Sequence, residues 1–230
     1  MAVGWGFGAR TVWVGGGWSG VNGAGGAQFL VDVGEYRGQN LAVMTIELVA
    51  PKAVFWESWL EARREWGGPE AHQPGAGLWA AERLGVDLDS RDGFDRWVDA
   101  LNAQPGAAPS SEVVPATNWW IVRGGRYVGA IQLRHSLNDL LADLGGHVGY
   151  GIRPSERRKG IATLALRTVL AYAWGSIGLV EVLITCDETN VGSRRVIESS
   201  GGVLDSIRES DELSRGHGHV GNTLRYRVAR

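Results

Sequence analysis

The sequence predicts an α/β fold built on a mixed β-sheet, and three observations carry that prediction. Stretches with strand alternation or β-branched runs recur at 44–49, 119–122, 127–133, 147–153 and 180–186. Helical periodicity occupies 53–66, 92–103 and the residues after Gly160. Finally, a strand, a basic glycine turn, a helix and another strand follow one another from His147 to Cys186. That order implies a right-handed crossover between parallel strands.

In chain order, residues 1–43 read differently from the rest. Gly15, Gly16, Gly17, Gly23, Gly25 and Gly26 break every period, and acidic charge is absent until Asp32. Trp5, Phe7, Trp13 and Trp18 are unusual for a linker, and no basic start leads into an unbroken apolar core as in a signal peptide. The expectation is a disordered extension or a product of start-site choice, with the domain spanning 44–230. Met44 to Val49 is the first strand. Residues 53–66 form a helix stopped by Gly67, Gly68 and Pro69, and residues 92–103 form a second, capped by Ser90 and burying Phe94, Trp97, Val98 and Leu101.

A Pro/Ala/Ser loop at 104–117 precedes two strands joined across Gly124–Gly125, a hairpin signal. Residues 136–146 connect back into the strand at 147. After the next helix, Val180 to Cys186 reads as a buried strand. Asn190 caps a helix at 191–199, and strands at 203–208 and 223–228 flank a polar loop at 214–221 expected to be mobile. No internal repeat is visible.

The turn at Arg157-Arg158-Lys159-Gly160-Ile161-Ala162 carries the chemistry. It lies where a strand ends and a helix begins, so unpaired N–H groups and the positive end of the helix dipole make an anion site. Gly160 allows close approach of a ligand to the backbone. The turn lacks both GxxxxGK[ST] and GxGxxG, which argues against a P-loop and a dinucleotide site. A pyrophosphate remains the natural ligand.

Composition bounds the partners. A formal charge of -2 and a pI near 6.2 give no polyanion-binding signal, so nucleic acid is not expected. No apolar run reaches the roughly 18 residues of a membrane span, so no membrane partner is expected. A single cysteine, Cys186, excludes an internal disulfide and suits a reducing, cytoplasmic compartment.

Arg157, Gly160 and Ala162 fit the pattern Arg/Gln-x-x-Gly-x-Gly/Ala, and the element order from 44 to 230 resembles the GNAT superfamily of acyl-CoA N-acyltransferases. The segments 119–122, 134–138, 145–150, 152–162, 183–186 and 190–202 resemble an uncharacterised group of predicted bacterial acetyltransferases. The resemblance implies a V-shaped splay between the parallel strands 147–153 and 180–186, with helices on both faces of the sheet. Acetyl-CoA would be co-substrate, with no metal. Its pantetheine arm would pair with the backbone of Ile152 and Arg153. The amides of Arg158, Lys159, Gly160, Ile161 and Ala162 would hold its pyrophosphate, aided by the charge of Arg157 and Arg158. Asn190 and Ser193 match positions near the thioester.

Direct transfer needs a neutral amine, a polarised carbonyl and a proton for the departing thiolate. The resemblance puts a tyrosine acid at position 197, where this chain has Ile197. The acid is then another group or solvent. His147 and His135 are the candidate bases, each weighed against a structural role. Tyr150 and Cys186 read as packing, and Glu198 as a remote candidate. Trp56, Trp59, Trp66, Trp79 and Trp97 either wall the acceptor side or fill the core, and the core is the better reading.

The expected activity is acetyl transfer to a primary amine of a small molecule, and the reading leaves room for a homodimer. Two alternatives stay open: a protein or peptide acetyltransferase acting on lysine or N-termini, and a non-catalytic acyl-CoA-binding module. For the first, Asp87, Asp89, Asp92 and Asp95 offer only a solvated helix edge.

Overall fold

The structure, a computed structural model, describes residues 29–34, 43–110 and 112–230. Two antiparallel sheets form its centre. The first has the order β1 (Phe29–Gly34), β2 (Val43–Val49), β3 (Ala116–Arg123), β4 (Arg126–Arg134), β5 (Val148–Ile152). The second has the order β6 (Glu181–Asp187), β8 (Thr223–Ala229), β7 (Val203–Arg208).

Strand β1 falls inside the stretch expected to be an extension. Six residues of it pair with β2, from Phe29 opposite Leu48 to Gly34 opposite Val43. The other residues of the expected extension, 1–28 and 35–42, lie outside the described residues.

The β3–β4 hairpin closes as its glycines require. Gly124 and Gly125 have φ of 56° and 73°, between the facing pair Arg123 and Arg126. Two positive-φ residues in a two-residue loop match the twist of the strands they join. Along β3 the alternation sends neighbouring tryptophans to opposite faces. Trp119 joins Ile46, Leu48, Ile131 and the buried face of α4 (Ile161–Tyr172), whereas Trp120 joins Trp59, Phe94 and Trp97. The sheet is therefore buried on both sides, and each face has its own core.

The second core lies under α1 (Trp56–Trp66), α2 (Leu78–Leu84) and α3 (Arg91–Ala103). Trp59 stacks at 5.2 Å from both Phe94 and Trp97, and Trp120 lies 5.8 Å from Trp97. Trp59 and Trp97 are fully buried, so for these two the core reading holds; Trp56, Trp66 and Trp79 are half-buried. Ser90 caps α3 by accepting from Gly93 N–H, and Gly67 closes α1 in the left-handed region at φ 113°.

Two helices were not expected. Helix α2 has seven residues set between Gly77 and Gly85, too short to show a period. Helix α6 (Glu212–Gly216) lies within and just before the loop expected to be mobile, and an Asp211–Ser214 capping box fixes its start. That loop is also fastened to the end of β6. Asp187 accepts from Val220 and Gly221 N–H, and Glu188 from Asn222 N–H.

Among the described residues, the backbones of the two sheets join just before β5. His147 N–H donates to Leu183 O at 2.7 Å, and beyond it β5 pairs only with β4 and β6 only with β8. This is the expected splay. Strand β5 leads through the basic turn into α4, whose buried residues Ile161, Leu164, Ala165, Leu166, Val169 and Leu170 cover the first core. Helix α5 (Val191–Ser199) follows β6 on the other wall.

Candidate functional site

The basic turn presents its backbone N–H groups at the start of α4. Arg158 and Gly160 both lie in the left-handed region, at φ 61° and 78°. The first bond of α4 runs from Leu164 N–H to Gly160 O, so the N–H groups of Ile161, Ala162 and Thr163 come before any intrahelical acceptor. A turn with left-handed residues leading into a helix N-terminus concentrates N–H groups on one concave surface. The residues from Arg157 to Gly160 are exposed. Lys159 pairs with Glu156 at 3.1 Å, and Arg158 makes no ion pair among the described residues. Arg157 is held in place: its Nε donates to Ile152 O at 3.0 Å, and its guanidinium lies 4.6 Å over the Trp66 ring.

The backbone of β5 shows which groups face the gap. Arg134 N–H donates to His147 O and Arg153 N–H to Val128 O, both toward β4. Alternation along the strand then turns the N–H and C=O groups of Tyr150 and Ile152 to the open edge. The Ile152 backbone thus faces that edge, with its C=O accepting from Arg157 Nε, whereas the Arg153 amide points the other way. The Arg153 side chain is buried against α1, bonded to Glu65 at 2.7 Å and Glu61 at 3.4 Å. Its guanidinium, together with the Ser155 N–H, holds Glu65 at a pKa of about 2.

His147 sits at the junction of the sheets. Its Nδ1 accepts from Leu183 N–H at 2.9 Å while its own N–H donates to Leu183 O. The neutral ring therefore carries its proton on Nε2. Burial, with the nearby positive charge of Arg134, lowers its pKa below the usual histidine value. His135 follows β4; its Nε2 shares a hydrogen bond with Thr117 Oγ1 at 2.8 Å, and burial lowers its pKa too.

Across the gap, Asn190 caps α5 by accepting from Ser193 N–H at 2.9 Å. The Ser193 hydroxyl meets the Tyr150 hydroxyl at 2.8 Å, linking β5 to α5. No local pattern marks this pair, whose members lie 43 residues apart. The available signal was that Tyr150 shares its face with Val148 and Ile152, the face toward α4. Burial pushes the Tyr150 phenol up and the neighbouring Cys186 thiol up to about 11, which keeps that thiol protonated and inert. Ile197 is fully buried, and Glu198 accepts from Tyr226 OH at 3.0 Å.

On the other face of β5 lies the loop after α1. Gly75 packs so closely that a Cβ there would come within 2.3 Å of Gly149 O, and a Cβ on Gly151 within 2.7 Å of Pro74 O. The glycines of β5 thus let this loop lie flat on the strand. Burial lowers the pKa of His219 in the β7–β8 loop, against the raising effect of the Asp187 carboxylate. Among the described residues, no helix is long and apolar enough to cross a membrane, and no group of three His, Cys, Asp or Glu side chains could hold a metal.

Comparison with known proteins agrees with this arrangement. A family model described as an acetyltransferase (GNAT) domain matches residues 69–203. Among solved structures, RimJ of Mycobacterium smegmatis, in complex with CoA-disulfide, aligns with a TM-score of 0.54 at 16% identity, over 81% of this chain and 82% of that one. The microcin self-immunity acetyltransferase MccE, with acetyl-CoA and AMP, aligns with a TM-score of 0.53 at 14% identity, over 80% and 92%. RimL, an alpha-N-protein acetyltransferase with coenzyme A, aligns with a TM-score of 0.52 at 15% identity, over 80% and 93%. A search of curated proteins by sequence finds no match. The family model covers more than half of the chain, and the chain belongs to the GNAT acetyltransferase family.

Proposed function

We propose that this protein transfers acetyl from acetyl-CoA directly to the primary amine of a small molecule. The observation that carries the reading is the exposed turn at Arg157–Gly160, with two left-handed residues at the N-terminus of α4 and at the mouth of the splay. In this reading the amides of 158–162 bind the pyrophosphate, with Arg158 and Lys159 supplying charge. Arg157 braces Ile152 and Trp66 beside them. The open edge at Tyr150 and Ile152 takes the pantetheine arm, and Asn190 and Ser193 border the thioester.

The proton inventory bears on the acceptor. His147 offers the main chain an acceptor at Nδ1, which leaves its Nε2 protonated and unable to take another proton. His135 keeps Nδ1 outside its Thr117 bond and is the ring left for proton traffic. With no stronger base assigned, the amine must arrive largely neutral. At pH 7.5 roughly a third of the α-amine of a peptide or amino-acid amide is neutral, against about one part in a thousand of a lysine ε-amine. We therefore favour an acceptor with an α-amino group or an amine of similar pKa.

A second reading, transfer to a protein N-terminus, satisfies the same condition, and RimL is a structural neighbour of that kind. The test is acetylation from acetyl-CoA of a panel containing free amino acids, amino-acid amides, short peptides and Nα-blocked lysine, followed by mass spectrometry. Modification of the small α-amines supports the proposal. Modification of peptides alone selects the second reading, and modification of blocked lysine alone contradicts both.

A further inference from the structure

Thioester aminolysis leaves an anion on sulfur, and the family position for its acid is occupied here by Ile197. That side chain is fully buried, and Gly202 packs so tightly against it that a Cβ there would come within 2.4 Å of its Cγ2. No hydroxyl can be presented from that point of α5. A phenol nevertheless reaches the same helix from the opposite wall of the splay. Tyr150 projects from β5, its hydroxyl 2.8 Å from Ser193 Oγ and 3.3 Å from Ser193 O, one turn before Ile197. The two bonds from Tyr150 to Ser193 tie β5 to α5 at this hydroxyl pair. Tyr150 is only half-buried, and its backbone lies on the open edge of the gap.

We propose that Tyr150 is the proton donor to the departing CoA sulfur, with its hydroxyl positioned by Ser193. The proposal rests on the acetyltransferase reading above. The amine lone pair forms the C–N bond at the carbonyl carbon, the C–S bond breaks, and its electron pair goes to sulfur. The Tyr150 hydroxyl proton moves to that sulfur, giving the free thiol. The phenolate regains a proton from water through the Ser193 hydroxyl, and the proton shed by the amine leaves to solvent. Burial keeps the phenol protonated at neutral pH. A hydrogen bond from that hydroxyl to the sulfur anion favours the anion in the gap.

The readout that separates proton donation from simple clamping of α5 is the thiolate itself. In the full chain, titration with CoA and with desulfo-CoA across pH 6.5 to 9.5 measures the contribution of the sulfur. The parent chain should prefer CoA increasingly as the thiol ionises near a pH of about 8.5. In Tyr150→Phe, which keeps the ring and its packing, that rising preference should vanish. With an acceptor from the panel above, kcat should fall about a hundredfold while KM for acetyl-CoA stays within a factor of three. Ser193→Ala should show a smaller loss of the same kind. If Tyr150→Phe keeps the pH-dependent preference or the parent kcat, the proposal is overturned with the acetyltransferase reading intact. If neither CoA nor desulfo-CoA binds the parent chain, both readings are overturned.

Discussion

Replacing His147 by alanine would show whether this ring joins the two sheets or serves as a base. The perturbation removes the acceptor at Nδ1 for Leu183 N–H, 2.9 Å away, at the junction between the residue preceding β5 and β6. A partly buried N–H left without an acceptor costs about 1–3 kcal/mol. For a chain of 230 residues each kcal/mol shifts Tm by about 2–4 °C, so the expected fall is about 2–12 °C. The pH dependence has a definite sign. The folded-state pKa of His147 is lowered, so the unfolded chain takes up its proton first as pH falls. The stability that His147 contributes is present above the unfolded value near 6.5 and declines below it, toward the lower folded pKa. Differential scanning calorimetry between pH 5.5 and 8 should show this decline in the parent and a shallower one in the variant. An unchanged Tm at pH 8 would refute the junction role. A base role would appear instead as a kcat loss with stability intact.

Other consequences follow from the same structure. Arg153→Met should lower stability by about 1 kcal/mol, because it removes the guanidinium that holds the solvent-exposed Glu65 carboxylate at a pKa of about 2. In the parent, the stability from that pair is present above the unfolded carboxylate value near 4.5 and is lost as pH falls toward 2, which acid titration by circular dichroism would detect. Trp59→Ala should cost about 3–5 kcal/mol in urea unfolding, because the ring is fully buried against Phe94 and Trp97. Trp66→Ala should leave the fold stable but weaken acetyl-CoA binding a few-fold by freeing Arg157, and unchanged binding would deny Trp66 that bracing role.

The elements legible in the sequence were those whose cause is local. The β3–β4 turn needed two residues at positive φ and had Gly124 and Gly125. Helix α3 had its cap at Ser90 and its buried face at Phe94, Trp97, Val98 and Leu101, as the spacing indicated. The basic turn was legible because an anion cradle at a helix start depends on only a few consecutive residues. Helix α2 escaped because seven residues between two glycines show no period. Strand β1 escaped because its pairing comes from β2 rather than from its glycine-rich surroundings. The site details that were missed are all long-range. Arg153 meets Glu65 88 residues away, and His147 reaches Leu183 across 36. The amide direction at Arg153 follows from the register with β4, and composition does not reveal register.

The central claim is that the turn at Arg157–Gly160 holds the pyrophosphate of acetyl-CoA, and calorimetric titration of the full chain tests it most directly. The parent should bind acetyl-CoA at micromolar concentration. In Gly160→Glu a side chain is forced to φ 78° and a carboxylate is set against the phosphates. The backbone strain alone is about 1–2 kcal/mol, and charge repulsion at about 4 Å adds 1 kcal/mol or more. Affinity should therefore fall at least about thirtyfold, with circular dichroism showing the fold retained. Absence of binding by the parent, or equal binding by parent and variant, would contradict the assignment.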